Sequence, residues 1–516
     1  MYKKSVIQLL FAALSGAAQL AVGQIQTVNP DSALQTILKE LEGTPLPLKE
    51  AMQNGLEKAT SVRKAEAAYL AALGTVRRES GMFDPELFFS LNYQDQKLPT
   101  ASFFAGAPIL TTQQSISQTG LRLDLPIGTK LEASLNTIRL KTNSSFAFLN
   151  PQYTAFGSLS LRQPLLGGFA ASGRKQLSKA EQESQAAQAR YDQEVVAISA
   201  EVERRYWDLY AAERDYAVRK LTRDQGEIFL QETELRAKGG LIGPNQVANA
   251  RTFLAEQKIL LLDREEQLDR LSDQLASLIG ARLESGKPRF ITVDDPPGDF
   301  PVEPVGALVQ RALRNNLDLQ AAQADVEASR TLAKAAGWEA LPSVDLLGSL
   351  GGNGIAGTAQ NVIFGGDTLR TTRGGGFGDA LNQLGKRDFR AWSVGVEVRI
   401  PIGLRKGLGE QDRLEAEVNI AEQRYVDKAR ILEDQVRSSY RELLHGKRRL
   451  EASREGVEAA KEQVRIGLIE FHNGRSTAFE LVRLGADFAA AQQRYSEALV
   501  RTAKAATTLR QLTSGR

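Results

Sequence analysis

The chain of 516 residues has no cysteine, two histidines, and no excess of either charge, with 65 Lys and Arg against 62 Asp and Glu. Without cysteine there are no disulfides, no thiol catalysis, no thiolate metal site and no lipidated N-terminal cysteine in a mature form. The histidines, His445 and His472, have no metal-ligand spacing. A formal net charge of +3 is too small to indicate nucleic acid. Downstream of the N-terminus no run approaches the roughly 18 apolar residues of a membrane-spanning helix. If the chain enters a membrane, it does so as strands.

What is present begins with an export signal. Lys3 and Lys4 precede an apolar run from Val6 to Leu14, and small residues end at Ala21-Val22-Gly23. Residues 1–23 are therefore read as a signal peptide, and residues 24–47 as a mixed entry segment, partly ordered at best.

The dominant stretch runs from Gly173 to Leu278. A helical pattern reaching Glu234 breaks at Ala237-Lys238-Gly239-Gly240-Leu241-Ile242-Gly243-Pro244-Asn245 and resumes beyond it, as an antiparallel helical hairpin would. Its first arm has roughly 60 residues, on the order of 90 Å of helix. Val247, Leu254, Leu261, Leu268 and Leu275 recur at every seventh position of the second arm, so this helix is built to pack along its length.

Before the hairpin, Leu48 to Ser80 reads as helix, broken near Gly55, and Glu86 to Tyr93 as strand. Gln94 to Gly120 reads as a polar connection. Leu121–Leu125 and Leu131–Leu135 alternate around Pro126-Ile127-Gly128-Thr129 as a β-hairpin, and Tyr153 to Arg162 is a further strand. After the hairpin come a linker over 281–304, a helix from Val305 to Trp338, a strand from Pro342 to Leu350, a Gly-rich loop from Gly351 to Phe389, and a strand from Trp392 to Ile400.

These elements repeat. One constant shift carries Leu48 onto Val305, Tyr69 onto Val326, Pro85 onto Pro342 and Phe89 onto Leu346. A second carries Tyr191 onto Tyr425, Tyr206 onto Tyr440, Gly240 onto Gly474 and Leu278 onto Leu512. The first unit is 48–280, with strands about 86–162 and a hairpin about 173–278. The second is 305–513, with strands about 342–400 and a hairpin about 409–512. Only the first contains the strand pair between 121 and 140.

No nucleophile, base and orienting group cluster in the sequence, so no enzyme is expected and no cofactor. Gly352-Asn353-Gly354-Ile355-Ala356-Gly357 fits a phosphate-loop pattern, but no helix opens behind it and an external loop is the better reading. Phe88, Phe89, Tyr93, Tyr153, Phe156 and Trp392 fit either interface aromatics of a membrane barrel or core residues of a soluble sheet.

The export signal, the duplicated strand and helix unit, Gln163-Pro164-Leu165-Leu166-Gly167-Gly168 leading out of a strand, and the two tip turns together resemble the TolC-type outer membrane efflux proteins. The turns are Arg236 to Ile242 and Phe471 to Thr477. The resemblance covers about Leu48 to Leu512. It implies an α+β membrane protein forming a homotrimer, whose strands share one β-barrel in the outer membrane and whose hairpins form a periplasmic α-barrel. It further implies a passive exit duct for small molecules or proteins, in tripartite efflux or type I secretion, joined by a periplasmic adaptor to an inner-membrane pump or ABC transporter. Lys238, Gly239, Gly240, Leu241 and Ile242, with Gly474, Arg475 and Ser476, are the candidate adaptor-docking residues.

Two features depart from the family's pattern. The 121–140 pair exceeds its usual strand set, and Gln463 to Leu468 lacks the paired acids that often close the periplasmic end. The competing reading is an exported coiled-coil scaffold or adhesin with a β-anchor, which predicts neither matched Gly-containing tips nor strands ahead of each hairpin.

Overall fold

In the computed structural model, residues 30–169, 171–281, 287–473 and 475–514 are described; the signal-peptide stretch and Gly474 lie outside them. The chain divides into two compact units, one of residues 1–63, 194–316 and 432–516, the other of residues 64–193 and 317–431.

The first unit is helical. It contains α1 (Pro30–Lys39), β1 (Thr44–Leu46) and α2 (Leu48–Lys58), and most of the first hairpin, α4 (Lys175–Lys238) and α5 (Pro244–Ile279). β6 (Phe290–Thr292), α6 (Val305–Asn315) and most of the second hairpin, α9 (Arg405–His472) and α10 (Ala478–Thr513), complete it. Leu254, Leu268 and Leu275 of the seven-residue series are buried, as expected of a packed seam.

The entry segment is more ordered than its mixed composition suggests. Leu34 and Ile37 of α1 pack with Ala217, Val218 and Leu221 of α4 and Ala489 of α10, and β1 pairs in parallel with β6. Tyr206 ties this region together. Its hydroxyl donates to the Leu46 carbonyl at 2.9 Å and accepts from the Val293 N–H at 2.9 Å, and burial pushes its pKa up to about 12. The break in the first short helix falls at Ala59 rather than at Gly55. Gly55 stays helical, and its missing side chain leaves room for Val202, which a Cβ there would meet at 2.8 Å.

The second unit contains α3 (Thr60–Ser80), α7 (Leu317–Glu339) and one six-stranded antiparallel sheet. Its strands are β2 (Glu86–Pro99), β3 (Ile109–Asp124), β4 (Lys130–Thr142), β5 (Leu149–Pro164), β7 (Ser343–Ala359) and β10 (Phe389–Arg399), in the order β10-β7-β5-β4-β3-β2. Two expected loops are therefore largely strand. Of the connection from Gln94 to Gly120, only a short crossing remains between β2 and β3, because Ser, Thr and Gln alternate there as readily on a strand as apolar residues do. The expected loop from Gly351 begins as the second half of β7. It continues through a small hairpin, β8 (Val362–Phe364) and β9 (Asp367–Leu369), into a helix, α8 (Phe377–Lys386).

The phosphate-loop look-alike lies within β7, where its glycines serve packing. A Cβ on Gly354 would run into the Ala380 carbonyl, and Leu384 lies against Gly157 and Gly352. Ala155, Ala356 and Ala380 form the buried centre of this contact. The glycines let α8 lie directly on the sheet.

The duplication is visible in element bounds. α2 and α6 are both 11 residues long, and α5 and α10 are both 36. The copies differ at their strands: β3 and β4 occur in the first only, and β8, β9 and α8 in the second only.

Candidate channel wall and docking tips

Antiparallel partners point to one face of a sheet, so the registers define two faces. One carries Leu87, Phe89, Leu91 and Tyr93 of β2, Leu121 and Leu123 of β3, Leu131 and Leu135 of β4, and Leu159 and Leu161 of β5. It continues through Val344, Leu346 and Leu350 of β7 to Trp392, Val394, Val396 and Val398 of β10. Many of these stand in the open: Leu87 is 79% and Trp392 75% exposed. An apolar surface this large and continuous marks contact with a membrane or another protein.

The opposite face is polar and charged. Arg122 pairs with Glu132 at 3.0 Å, and Arg162 with Asp345 at 2.5 Å and Glu397 at 3.6 Å. Ser134 meets Ser158, and Ser349 meets Ser393, through their hydroxyls at 3.1 Å and 2.7 Å. A cavity of about 870 Å³ lies against this face, lined among others by Arg122, Glu132, Arg162 and Ser349. One wall thus has a lipid-compatible side and a water-compatible side, the alternation of a membrane β-barrel strand.

The apolar band crosses the sheet obliquely. On β10 the row from Val398 to Trp392 faces Val344 to Leu350 of β7. On β2 the row from Leu87 to Tyr93 lies, through the intervening registers, level with Leu350 to Ala356. That is six residues of displacement over five strand-to-strand steps. With about 3.3 Å per residue and about 4.8 Å per strand the slope is roughly 40°, within the tilt of strands in outer-membrane barrels.

At that slope Trp392 and Tyr93, each closing the distal end of its row, stand at the same height, as an aromatic girdle requires. Of the other candidate aromatics, Phe89 and Tyr153 share this face, Tyr153 against Phe377 of α8. Phe88 and Phe156 do not. They point to the polar side, where the Arg122 guanidinium lies 4.2 Å from the Phe88 ring centre.

At the first tip, Lys238 is the last residue of α4 and Gly239 follows it. Gly240 has φ +71, and the Leu241 N–H donates back to the Arg236 carbonyl at 3.0 Å while the Gly240 N–H donates to Ala237 at 3.0 Å. This is a Schellman closure, which favours glycine at the left-handed position. The second tip repeats it at the same shift: the Arg475 N–H donates to the Glu470 carbonyl at 2.9 Å. Thr477 then caps α10 by accepting from the Glu480 N–H, and the Ser476 hydroxyl reaches Glu480 at 3.3 Å.

Leu241 is 77% exposed, whereas Ile242 turns inward and lines a cavity of about 490 Å³ with Phe229, Arg236 and Phe253. Thr477 lines the same cavity, so the two tips share it. Lys238, Gly239, Gly240 and Arg475 are exposed and Ser476 is half-buried. Phe229 and Phe253 were not among the sequence candidates. They lie on the arms rather than in the turns, and their one signal is Gly226, which leaves room for the Phe253 ring.

The chain from 308 to 515 matches the family model described as outer membrane efflux protein. This part of the chain is similar to that family. The fold agrees over a longer span. The outer-membrane channel OprN superposes with a TM-score of 0.63 at 18% identity, over 91% of this chain and 90% of that one. The outer membrane protein VceC of Vibrio cholerae gives 0.60 at 16%, over 91% and 96%. The open state of the MtrE outer membrane channel of Neisseria gonorrhoeae gives 0.60 at 16%, over 91% and 89%. No match is found among curated proteins. The family resemblance read from the duplicated unit and the tips is thereby upheld, with the first half carrying the outer membrane efflux protein fold without matching the family model.

Proposed function

We propose that the chain is the outer-membrane exit duct of a tripartite efflux or secretion system. Three copies pool their strands into one barrel in the outer membrane, and the hairpins extend into the periplasm. The duct is a passive conduit: cargo crosses unchanged, driven by an inner-membrane transporter.

The observation that carries this reading is the two-faced sheet, whose apolar band is tilted like a barrel wall and whose edge strands, β2 and β10, have no partner among the described residues. Lipid tolerates no open sheet edge, so the wall must close on further copies. The tips, from Lys238 to Ile242 with Gly474 to Ser476, are the surface for the periplasmic adaptor. Leu241 offers an exposed apolar anchor, and the cavity behind Ile242 a pocket for a partner side chain.

The reading is tested in the native cell. Membrane fractionation with crosslinking should return a trimer in the outer membrane, and deletion of the gene should abolish export by the partner pump. A soluble monomer would sink the assignment.

A further inference from the structure

We infer that the β3–β4 hairpin is built into the channel wall, so that each copy contributes six strands and the trimer closes as an eighteen-stranded barrel. This rests on the reading of the chain as a trimeric duct.

Three observations carry it. First, β3 and β4 are central: β3 pairs with β2 along fourteen positions, and β4 with β5 along eleven, so β2 reaches β5 only through them. A hairpin decorating the mouth would leave β2 paired to β5. Second, both faces run through the insertion without interruption. Leu121, Leu123, Leu131 and Leu135 join the apolar side, while Arg122 and Glu132 join the charged side.

Third, the edges are complementary. The strands alternate in direction and number six, so β2 of one copy runs antiparallel to β10 of the next. Each edge carries its apolar row on the same side, Leu87 to Tyr93 on β2 and Val398 to Trp392 on β10. The occupant of each open edge is thus a second copy of this chain, and its seating makes the band continuous.

The consequence is width. At about 4.8 Å between strands and a tilt of about 40°, eighteen strands enclose a barrel roughly 36 Å across the backbone, against roughly 24 Å for twelve. The lumen so formed is lined by both signs of charge, Arg122, Arg162 and Arg399 with Glu132, Asp345 and Glu397.

Because the chain has no cysteine, a disulfide can form only between introduced ones. The full-length protein carrying Ser134→Cys with Ser158→Cys, assembled in the outer membrane and oxidised, should form a link within each chain across β4 and β5. Ser349→Cys with Ser393→Cys is the positive control across β7 and β10. Leu91→Cys combined in turn with cysteine at Trp392, Val394, Val396 or Val398 should give covalent dimers and trimers.

The inference is overturned if outer-membrane trimers form and the control links, but Ser134→Cys/Ser158→Cys does not, while Ser90→Cys links to Ser158→Cys. That result places β2 directly beside β5 in a four-strand contribution. Absence of any outer-membrane trimer instead removes the duct reading, and the eighteen-stranded wall with it.

Discussion

The Glu213 carboxylate accepts two hydrogen bonds from Thr292, one from its N–H at 2.7 Å and one from its hydroxyl at 2.6 Å. These bonds lower its pKa, but burial outweighs them and raises it from 4.5 to about 7. The folded chain therefore holds the proton more tightly than the unfolded one. The resulting stability is complete below about pH 4.5, declines as pH rises through about 7, and flattens above that. The contribution is of order 3 kcal/mol. Thermal unfolding of the purified protein between pH 5 and 8 should show this decline, and Glu213→Gln, which keeps the shape and can still accept from the Thr292 N–H, should flatten it.

The two faces of the sheet predict opposite tolerance to charge. Val396 lies mid-row on the apolar side of β10 and Ser393 on the polar side. Val396→Arg should cost about 2–4 kcal/mol of barrel stability, and Ser393→Arg close to none. The temperature at which the trimer dissociates on a gel distinguishes them.

At the first tip, nothing lies within 4 Å of a Cβ added to Gly240, so substitution there produces no clash. The cost is the left-handed backbone, about 1–2 kcal/mol confined to the turn. Gly240→Val should leave trimer yield unchanged and reduce adaptor crosslinking and export together. Leu241→Asp, which alters the exposed anchor without straining the turn, should do the same. Unchanged crosslinking in both would remove the docking role of this tip.

α8 is held by small residues. Gly354→Val should expel it from the sheet, since the added carbons meet the Ala380 carbonyl. Trypsin should then cut at Lys386 or Arg387 in folded trimers, where the unaltered protein resists.

Much of this architecture was legible because helices and repeats leave periodic marks. Leu254, Leu268 and Leu275 announced a buried seam, and Gly240 matched to Gly474 announced two turns of one kind. The strands were less legible for a physical reason. A barrel strand alternates between lipid and water only across its membrane-facing part, and beyond Tyr93 the same face of β2 bears Asp95 and Lys97, so the period fades while the hydrogen bonding continues. β7 was cut short for a different reason, since Gly352 and Gly354 look like loop residues until α8 is seen lying on them. At the tips the turn residues are legible, but Phe229 and Phe253 are not, because a pocket between two arms leaves only Gly226 as a local mark.

The returning arms α5 and α10 have the same length, 36 residues, although the strands of the two copies have diverged freely. Equal arms act as a matched pair of rulers. Both turns line one cavity, so the proposed docking surface is an even rim rather than a stepped one. Lengthening one arm by a single helical turn would raise its tip by about 5 Å, more than a side chain at the rim could bridge. Between the two copies, the extra elements fall among the strands and none falls in the returning arms.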